Sequence, residues 1–318
     1  MTRAAELGPA FPGVVDGILE VQGRPVRVLR VDGPPEGAGG EPQLLVHGLG
    51  ASAVTWAEVM PGLSASGPVV AIDLPGFGRT PCTDDDTLTV EGYVRFALDV
   101  ADTLGWDRFA LHGNSMGGLI ATLLAAQQPE RVTRLVLVSP ALPPTSPLHL
   151  LLPARATLEG MVPIAVSSVS AAALGVLGAG GLLDERRNRH LMRLIFSEPD
   201  GVRPEFIDLM AQEYAEDDDE VVASRRRALL SALRSIAQLW ASPGRVLRAI
   251  DAVEAPTLIL GGTADALVPA KVLRQVLARR RDWRGHVLDD RRHALMMEAP
   301  EEYLELVRAW GQDHREAV

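Results

Sequence analysis

The sequence predicts an α/β fold, built on a mostly parallel, twisted sheet with helices on both faces. Apolar runs of three or four residues at 44–46, 69–72 and 135–138 alternate with longer segments of different pattern. Strands that are buried on both faces are apolar throughout, and their alternation with helices is typical of a parallel sheet. A glycine-rich turn at 113–117 also separates an apolar run from a helix, so that strand and helix follow each other directly there.

The chain begins with the features of an antiparallel hairpin. Residues 17–22 and 25–31 alternate apolar and polar side chains around Gly23 and Arg24, which predicts two strands and a tight turn. Residues 32–42 are rich in Gly and Pro and predict a surface loop before the first buried strand.

Helices are expected between the buried strands and after them. Residues 90–104 carry apolar side chains at roughly helical spacing, and residues 118–128 are rich in Ala and Leu and free of Pro. Residues 140–251 contain helical segments and Pro breaks but no convincing strand. This long stretch therefore predicts a helical insertion after the sixth predicted strand.

The sheet pattern returns after the insertion. Strand signals occur at 257–260 and at about 285–288, and a closing helix at 300–310 begins with Pro and two Glu residues, as helix starts prefer. The chain therefore divides into a first sheet segment, a helical insertion and a second sheet segment, at 13–139, 140–251 and 252–314.

Composition restricts the class of protein. The 318 residues suffice for a substantial core, and 47% of them are apolar, which is a globular value. The net charge of −10 argues against a nucleic-acid partner, which would require a basic face. The single cysteine, Cys82, excludes an intramolecular disulfide, and residues 1–12 lack the features of a signal peptide. We therefore expect a cytoplasmic protein.

Ser115 is the first candidate for chemistry. The segment Gly113-Asn114-Ser115-Met116-Gly117 matches the pattern G-x-S-x-G between a strand and a helix. Glycines on either side of the serine let strand and helix approach closely, and the strained turn projects the serine hydroxyl above the sheet edge. The helix N-terminus behind it favours developing negative charge. The pattern thus indicates a nucleophilic serine.

The chain resembles serine hydrolases of the α/β-hydrolase fold, in the branch of esterases and meta-cleavage-product hydrolases, from about residue 19 to residue 310. The resemblance is carried by the serine turn, His47-Gly48-Leu49-Gly50, Asp73-Leu74-Pro75-Gly76-Phe77-Gly78, Gly261-Gly262-Thr263-Ala264-Asp265, and His293 with Glu298 and Pro300. It implies that the insertion forms a cap over the active site. It also implies that the backbone N–H groups of Leu49 and Met116 form an oxyanion hole, with His47 in a structural role.

A serine nucleophile needs a base and a carboxylate that orients the base. In the resembling family the order along the chain is Ser, acid, His, which selects Asp265 and His293 as partners of Ser115. Asp265 lies just after a strand, and His293 lies between the last strand and the closing helix. The other histidines and acidic residues fit these two places less well; they are His149, His190, His286, His314, Asp251, Asp289 and Asp290.

The resemblance implies hydrolysis of carboxylic esters through an acyl-enzyme, with no metal and no organic cofactor. The serine argues against dehalogenases and epoxide hydrolases of this fold, which carry Asp at the turn. We expect a small-molecule substrate with an apolar acyl or alcohol part. Leu267 and Val268, near the strand ends, are candidates for binding it, beside the side chains of Leu49 and Met116.

Other functions remain open from the sequence. Hydrolysis of a carbon–carbon bond is the main alternative, because the serine turn is similar to that of meta-cleavage-product hydrolases. Two departures weaken it, a less glycine-rich loop after His47 and Ala294 in place of an aromatic residue after His293. A cofactor-free perhydrolase, a lactonase and a non-catalytic ligand-binding protein on the same scaffold also remain.

Residues 161–183 require a separate decision about the membrane. These 23 residues carry no charge, and as a helix they would span roughly 34 Å, enough for a bilayer. A crossing there would place Ser115 on one side of the membrane and Asp265 with His293 on the other. We therefore predict no transmembrane segment, and a weak contact of the cap with a membrane surface remains open.

Overall fold

The structure, a computed structural model, describes residues 5–34, 40–145, 195–196, 202–213 and 219–315. Most of the predicted insertion, including residues 161–183, lies outside the described residues. Residues 148–166, which are rich in apolar side chains, lie outside them as well. The division of the chain at residues 140 and 251 therefore stays a prediction.

The described strands form one sheet of nine strands, in the spatial order β1-β2-β3-β5-β4-β6-β7-β8-β9. Their bounds in chain order are β1 Ala5–Glu6, β2 Val15–Val21, β3 Arg24–Val31, β4 Gln43–Val46, β5 Val69–Ile72, β6 Phe109–Asn114, β7 Val132–Val138, β8 Thr257–Gly262 and β9 Arg284–Leu288. The pairs from β1 to β3 and the pair β3–β5 are antiparallel, and every pair from β5–β4 to β8–β9 is parallel. The predicted α/β class and its mostly parallel sheet are thus confirmed.

Two details of the strands differ from the sequence prediction. The short strand β1 was not predicted, so that the strand before the insertion is the seventh rather than the sixth. The hairpin turn lies one residue earlier than expected, because the two residues with positive φ are Gln22 (49°) and Gly23 (75°). Positive φ at both central positions gives the turn whose twist matches the paired strands.

Helices cover the sheet. In chain order they are α1 Met60–Leu63, α2 Val90–Thr103, α3 Met116–Gln127, α4 Pro204–Gln212, α5 Asp219–Ala241, α6 Gly244–Ala252, α7 Ala270–Arg279, α8 Leu295–Glu298 and α9 Pro300–Arg315, with 3-10 turns at Ala53–Trp56 and Ser64–Ser66. The closing helix begins at the predicted proline but runs five residues beyond Trp310. Among the described helices, none has both the length and the apolar character that a bilayer crossing requires.

Helices on both faces of the sheet create two separate cores. Leu44 and Val46 of β4 belong to the core shared with α2, α3, α5, α6 and α7. Leu45, between them, points into the other core, with residues of α1, α4, α8 and α9. Successive strand residues alternate between faces, so that an uninterrupted apolar run is what a strand covered on both sides needs.

Strand β6 carries a buried histidine. His112 is 2% exposed, its Nδ1 atom lies 2.7 Å from the hydroxyl oxygen of Tyr303, and its ring packs edge-on against Trp56. Burial, together with the charge of Arg134, lowers the pKa of His112 to about 3. The folded protein therefore holds this imidazole neutral over most of the acidic range.

This histidine makes stability depend on pH. The unfolded chain binds a proton at His112 below about pH 6.5, whereas the folded chain resists it until about pH 3. The contribution of His112 is thus fully present above that range and is lost as the pH falls, by up to about 1.4 kcal/mol per pH unit. In urea unfolding between pH 8 and pH 4, His112→Gln is expected to reduce the slope of unfolding free energy against pH. An unchanged slope in His112→Gln would contradict the assignment of this pH dependence to His112.

Candidate active site

Ser115 occupies a strained position between β6 and α3. Its backbone angles are φ 54° and ψ −116°, a region that costs energy for any residue with a side chain. The glycines around it are required by contact distances. A Cβ atom on Gly117 would lie 2.2 Å from the carbonyl oxygen of Val46, and one on Gly113 would lie 2.3 Å from that of Gly117. Only glycine lets β6 and α3 meet this closely.

The backbone of Ser115 is fixed by hydrogen bonds to the neighbouring chain. Its N–H donates to the carbonyl oxygen of Val138 at 3.0 Å, and its own carbonyl oxygen accepts from Ala141 at 2.9 Å and from Leu119 at 3.2 Å. Within the described part of the chain, no hydrogen bond engages the Ser115 hydroxyl. The side chain is held in place while its oxygen is left available for a reaction.

His293 and Asp265 form a buried pair at the same edge of the sheet. The Nδ1 atom of His293 lies 2.9 Å from Oδ2 of Asp265, and the two residues are 7% and 5% exposed. The other carboxylate oxygen, Oδ1, accepts the backbone N–H groups of Leu267 at 2.8 Å and Val268 at 2.9 Å. These bonds fix the carboxylate, and the carboxylate in turn orients the imidazole.

The partners of Asp265 decide its charge. Burial alone would raise the pKa of the carboxyl group, but the charge and hydrogen bond of His293, the N–H of Val268 and the side chain of Ser139 together outweigh it and lower the pKa below its ordinary value. Asp265 is therefore ionised at neutral pH. An ionised carboxylate on Nδ1 selects the tautomer of His293 that leaves Nε2 free to accept a proton.

Asn114 connects the serine turn to the histidine loop. Its side-chain Nδ2 donates to the backbone carbonyl oxygens of Val138 and His293, both at 3.2 Å. No hydrogen bond joins Ser115 directly to His293 in the described part of the chain, so that Asn114 provides the observed link. This role of Asn114 was not predicted from the sequence. The available signal was a polar residue at the last position of the strand, directly before the serine.

The loop after β4 approaches the serine from the other side. A Cβ atom on Gly48 would lie 3.1 Å from Cβ of Ser115, so that glycine allows this contact. The N–H groups of Leu49 and Met116 donate to no described acceptor. Two free donors next to Ser115 are the arrangement that an oxyanion hole requires.

His47 holds that loop in place. Its Nε2 atom accepts the backbone N–H of Leu74 at 3.1 Å, and Nδ1 lies 2.7 Å from the carbonyl oxygen of Gly48. Since Nε2 is the acceptor, the proton is on Nδ1 and is donated to Gly48. Burial lowers the pKa of His47, which keeps the ring neutral and preserves both bonds. This geometry agrees with the structural role expected for His47.

Asp73 also holds the loop after β4 and its surroundings in place. The buried carboxylate accepts the backbone N–H of Ala53 at 2.6 Å and that of Arg79 at 2.8 Å, and it lies 3.4 Å from a guanidinium nitrogen of Arg27. Ala53 is the first residue of the 3-10 turn that follows the loop after β4. These contacts give the loop that starts at Asp73 a structural role.

Arg27 carries a buried charge that the sequence analysis missed. Its side chain is 1% exposed and contacts three carboxylates, Asp16 at 2.8 Å, Asp73 at 3.4 Å and Glu213 at 3.4 Å. Burial would lower the pKa of Arg27, but the three carboxylates raise it, so that the guanidinium stays charged. Burial raises the pKa of Glu213, against the opposing charge of Arg27. The cluster joins β2 and β3 to the end of α4, a helix of the predicted insertion.

Helix α5, also in the predicted insertion, covers the loops beside Ser115. Leu229 is 5% exposed, and one of its methyl carbons lies 3.7 Å from the position that a Cβ atom on Gly50 would take. Trp240 donates its indole N–H to the carbonyl oxygen of Ala141 at 2.9 Å. The side chains of Leu267 and Val268, predicted to bind substrate, are buried, and their backbone N–H groups hold Asp265. A direct contact with substrate stays a prediction for both.

Two cavities among the described residues lie away from Ser115, Asp265 and His293. One of about 400 Å³ opens at the opposite edge of the sheet, next to Gln43, Ala110 and Trp310. A larger one, of about 1140 Å³, lies beside Cys82 and Glu213. In the described ranges, no three His, Cys, Asp or Glu side chains converge in the way that metal ligands do.

Comparison with known proteins identifies relatives at the level of sequence. A model of the alpha/beta hydrolase fold family matches residues 42–300. The 2-hydroxymuconate semialdehyde hydrolase of Pseudomonas sp. (strain CF600) is 41% identical over 105 residues, which are 32% of this chain and 37% of that protein. The pimeloyl-[acyl-carrier protein] methyl ester esterase of Legionella pneumophila (strain Corby) is 40% identical over 97 residues, 30% and 37% of the two chains. The matches thus span little more than a third of these relatives.

Solved structures resemble the chain over nearly its whole length. The 2-hydroxy-6-oxo-6-phenylhexa-2,4-dienoate hydrolase from Rhodococcus sp. strain RHA1 has a TM-score of 0.72 at 18% identity and covers 94% of this chain and 99% of its own. The naproxen esterase from Bacillus subtilis has a TM-score of 0.65 at 18% identity, with 96% and 93% covered. At these identities the likeness is one of fold.

The buried position of Arg27 leads to a stability prediction. Arg27→Met leaves Asp73 buried without its cation and leaves Glu213 with Arg79 alone, and removal of one partner of a buried ion pair costs about 3–5 kcal/mol. Arg284 faces Asp313 on the surface, with side chains that are 62% and 65% exposed, so that Arg284→Met is expected to cost no more than about 1 kcal/mol. Urea unfolding of both variants measures the difference. Equal losses would show that the Arg27 cluster is no more than a surface ion pair in its effect.

Proposed function

Because the chain belongs to the alpha/beta hydrolase fold family, we propose that it is a serine hydrolase of carboxylic esters whose acyl or alcohol part is apolar. The observation that carries the proposal is the geometry at the sheet edge. Ser115 lies in a strained turn, and its hydroxyl makes no hydrogen bond to the described residues. The buried pair of His293 and Asp265, 2.9 Å apart, follows the last two strands of the same sheet.

In the proposed reaction, Ser115 attacks the ester carbonyl carbon. The Nε2 atom of His293 takes the serine proton and passes it to the leaving alcohol. Asp265 stays ionised and stabilises the imidazolium that forms between these steps. Water then attacks the acyl-enzyme, with His293 as base again, and the acid is released as Ser115 regains its proton.

The oxyanion of each tetrahedral intermediate is proposed to lie against the N–H groups of Leu49 and Met116. Support comes from the absence of a described acceptor for either N–H group and from the position of Met116 at the N-terminus of α3, where the helix dipole adds to the field. The donors are backbone groups, so that the side chains of Leu49 and Met116 are available to contact substrate.

The apolar character of the proposed substrate rests on the residues around the serine turn. Leu142, Leu229, Leu233 and Val268 belong to the apolar cluster that also contains Met116, and Leu49 packs against it. A charged acyl group would lose its hydration there without gaining a partner. An alkyl or aryl group would gain about 0.8 kcal/mol for each buried methylene.

One observation favours a second candidate, hydrolysis of a carbon–carbon bond in a dienoate. The relative from Pseudomonas is named for 2-hydroxymuconate semialdehyde, and the turn from Gly113 to Gly118 is similar to that of the meta-cleavage-product hydrolases. An equally similar relative is named a methyl ester esterase. Ala294 stands where those hydrolases carry an aromatic residue, which favours ester hydrolysis over hydrolysis of a carbon–carbon bond.

The proposed triad predicts losses of activity that do not add. Ser115→Ala and His293→Ala are expected to lower kcat by about 10⁴-fold or more, and Asp265→Asn by about 10³-fold or more, because the three residues act as one unit. The matched controls are His286→Ala and Asp289→Asn, the nearest alternatives in sequence, which are expected to keep wild-type turnover. Near-normal turnover of Asp265→Asn in a folded protein would assign the acid elsewhere.

The substrate proposal predicts how rate depends on acyl length. Across acetyl, butyryl, hexanoyl and octanoyl p-nitrophenyl esters, kcat/KM is expected to rise about fourfold per added carbon until the pocket is filled. Leu229→Ala removes a side chain beside Gly50 and is expected to extend the rise to longer chains. Leu230→Ala is the control, because Leu230 is the next residue on α5 and is 51% exposed. A steady fall beyond acetyl would contradict an apolar acyl pocket.

A dienoate assayed beside the esters separates the two candidates. Faster turnover of a 2-hydroxy-6-oxo-dienoate than of every ester would support hydrolysis of a carbon–carbon bond and would contradict the ester proposal.

A further inference from the structure

Ser139 is a buried, strained serine between the nucleophile and the acid. It follows directly on the last residue of β7 and has φ 43°, a value that residues with a side chain rarely adopt. The residue is fully buried, and its N–H donates to the carbonyl oxygen of Leu260 at 2.8 Å, which ties it to β8. Two residues later, Ala141 donates to Ser115. Strained residues persist where function or packing compensates their cost.

The Ser139 hydroxyl has no partner of good hydrogen-bond geometry among the described residues. Its oxygen is shielded from water, and it lies 3.6 Å from the position that a Cβ atom on Gly261 would take. A buried hydroxyl without a partner is costly, so that its presence calls for a physical explanation. Gly261 lies near the end of β8, four residues before Asp265. The Ser139 hydroxyl is thus close to the part of the strand that leads to the acid.

Asp265 has room for one more donor. Among the described residues, its carboxylate accepts three hydrogen bonds, two at Oδ1 from Leu267 and Val268 and one at Oδ2 from His293. An ionised carboxylate has about four acceptor positions. The side chain of Ser139 contributes to the lowered pKa of Asp265, which supports a short separation between the two groups.

We propose that Ser139 is a positioning residue whose hydroxyl donates the fourth hydrogen bond to Asp265 and so sets how strongly the carboxylate holds the imidazolium of His293. The effect on catalysis rests on the proposed function, whereas the hydrogen bond itself does not. The backbone bond to Leu260 holds the Ser139 main chain in place beside β8.

The sign of the effect follows from the charges. His293 is the ionisable partner that faces Asp265. Without the Ser139 hydroxyl, the carboxylate has one donor fewer and attracts the proton of the imidazolium more strongly. The ascending limb of rate against pH then moves to higher pH. The rate at neutral pH falls, since the carboxylate is also less firmly oriented.

The test compares Ser139→Ala with Ser139→Gly, Ser139→Thr and Thr133→Val. Alanine removes the hydroxyl and keeps the backbone strain, whereas glycine removes both and guards against a variant that fails to fold. Threonine keeps the hydroxyl. Thr133 lies on β7, the strand that precedes Ser139, but at the far end from the site, and its buried hydroxyl has no partner among the described residues. Thr133→Val is therefore the matched control.

The readout is the rate at which Ser115 is labelled by a fluorophosphonate probe between pH 5 and pH 9. We expect Ser139→Ala and Ser139→Gly to lose about tenfold at pH 7, alike, and to shift the ascending limb to higher pH. Ser139→Thr should keep the limb of the wild type, and Thr133→Val both rate and limb. Wild-type behaviour of the alanine and glycine variants would overturn the proposal, and so would a loss in alanine that glycine restores.

A second readout does not require enzymatic activity. The proton between His293 and Asp265 can be followed by its downfield ¹H NMR resonance, and we expect it to shift in Ser139→Ala and not in Thr133→Val. If the wild type is not labelled, the proposed function fails, and the resonance still decides the role of Ser139. An unchanged resonance in Ser139→Ala would overturn the hydrogen bond.

Discussion

The parallel backbone ladder determines the geometry of the site, because it continues past the ends of the strands. Ser115 donates to Val138, Ser139 to Leu260, and Thr263 to Leu288, each at 2.8 to 3.0 Å. The turns that carry the serine and the acid thus begin inside hydrogen-bonded sheet structure. A shift of one residue in any of these pairings would turn the side chains at the strand ends to the other face. The distances within the site therefore depend on strand register more than on the loops.

Two buried carboxylates at this edge are bound in the same way and serve opposite purposes. Asp73 and Asp265 each accept two backbone N–H groups, and each faces one cationic partner. The partner of Asp73 is Arg27, which is charged at any pH. The ion pair that holds the loop after Asp73 therefore does not depend on the protonation of Arg27. The partner of Asp265 is His293, which can lose its proton. The difference between arginine and histidine separates a structural carboxylate from one suited to catalysis.

The sequence was sufficient for the parts of the structure that depend on short-range pattern. Apolar runs located the buried strands, and the places of Asp265 and His293 after the last two strands imply that their side chains meet, because β8 and β9 are neighbours. Contacts made by single long side chains were beyond it. Arg27 and Glu213 are 186 residues apart, and Asn114 and His293 are 179 apart. No periodicity marks such pairs, since each depends on how the insertion and the loops pack in three dimensions.

The close contact of β6 with α3 also limits how this protein can be altered. At positions 113 and 117 any side chain would collide with backbone oxygen atoms, which cannot move without breaking the ladder. A randomised library that includes these glycines would consist mostly of clones that do not fold. Libraries directed at Leu49, Met116 and Leu229 leave the backbone donors and the turn intact. New substrate preferences should therefore be accessible by few substitutions, whereas relocation of the nucleophile should require a rebuilt sheet edge.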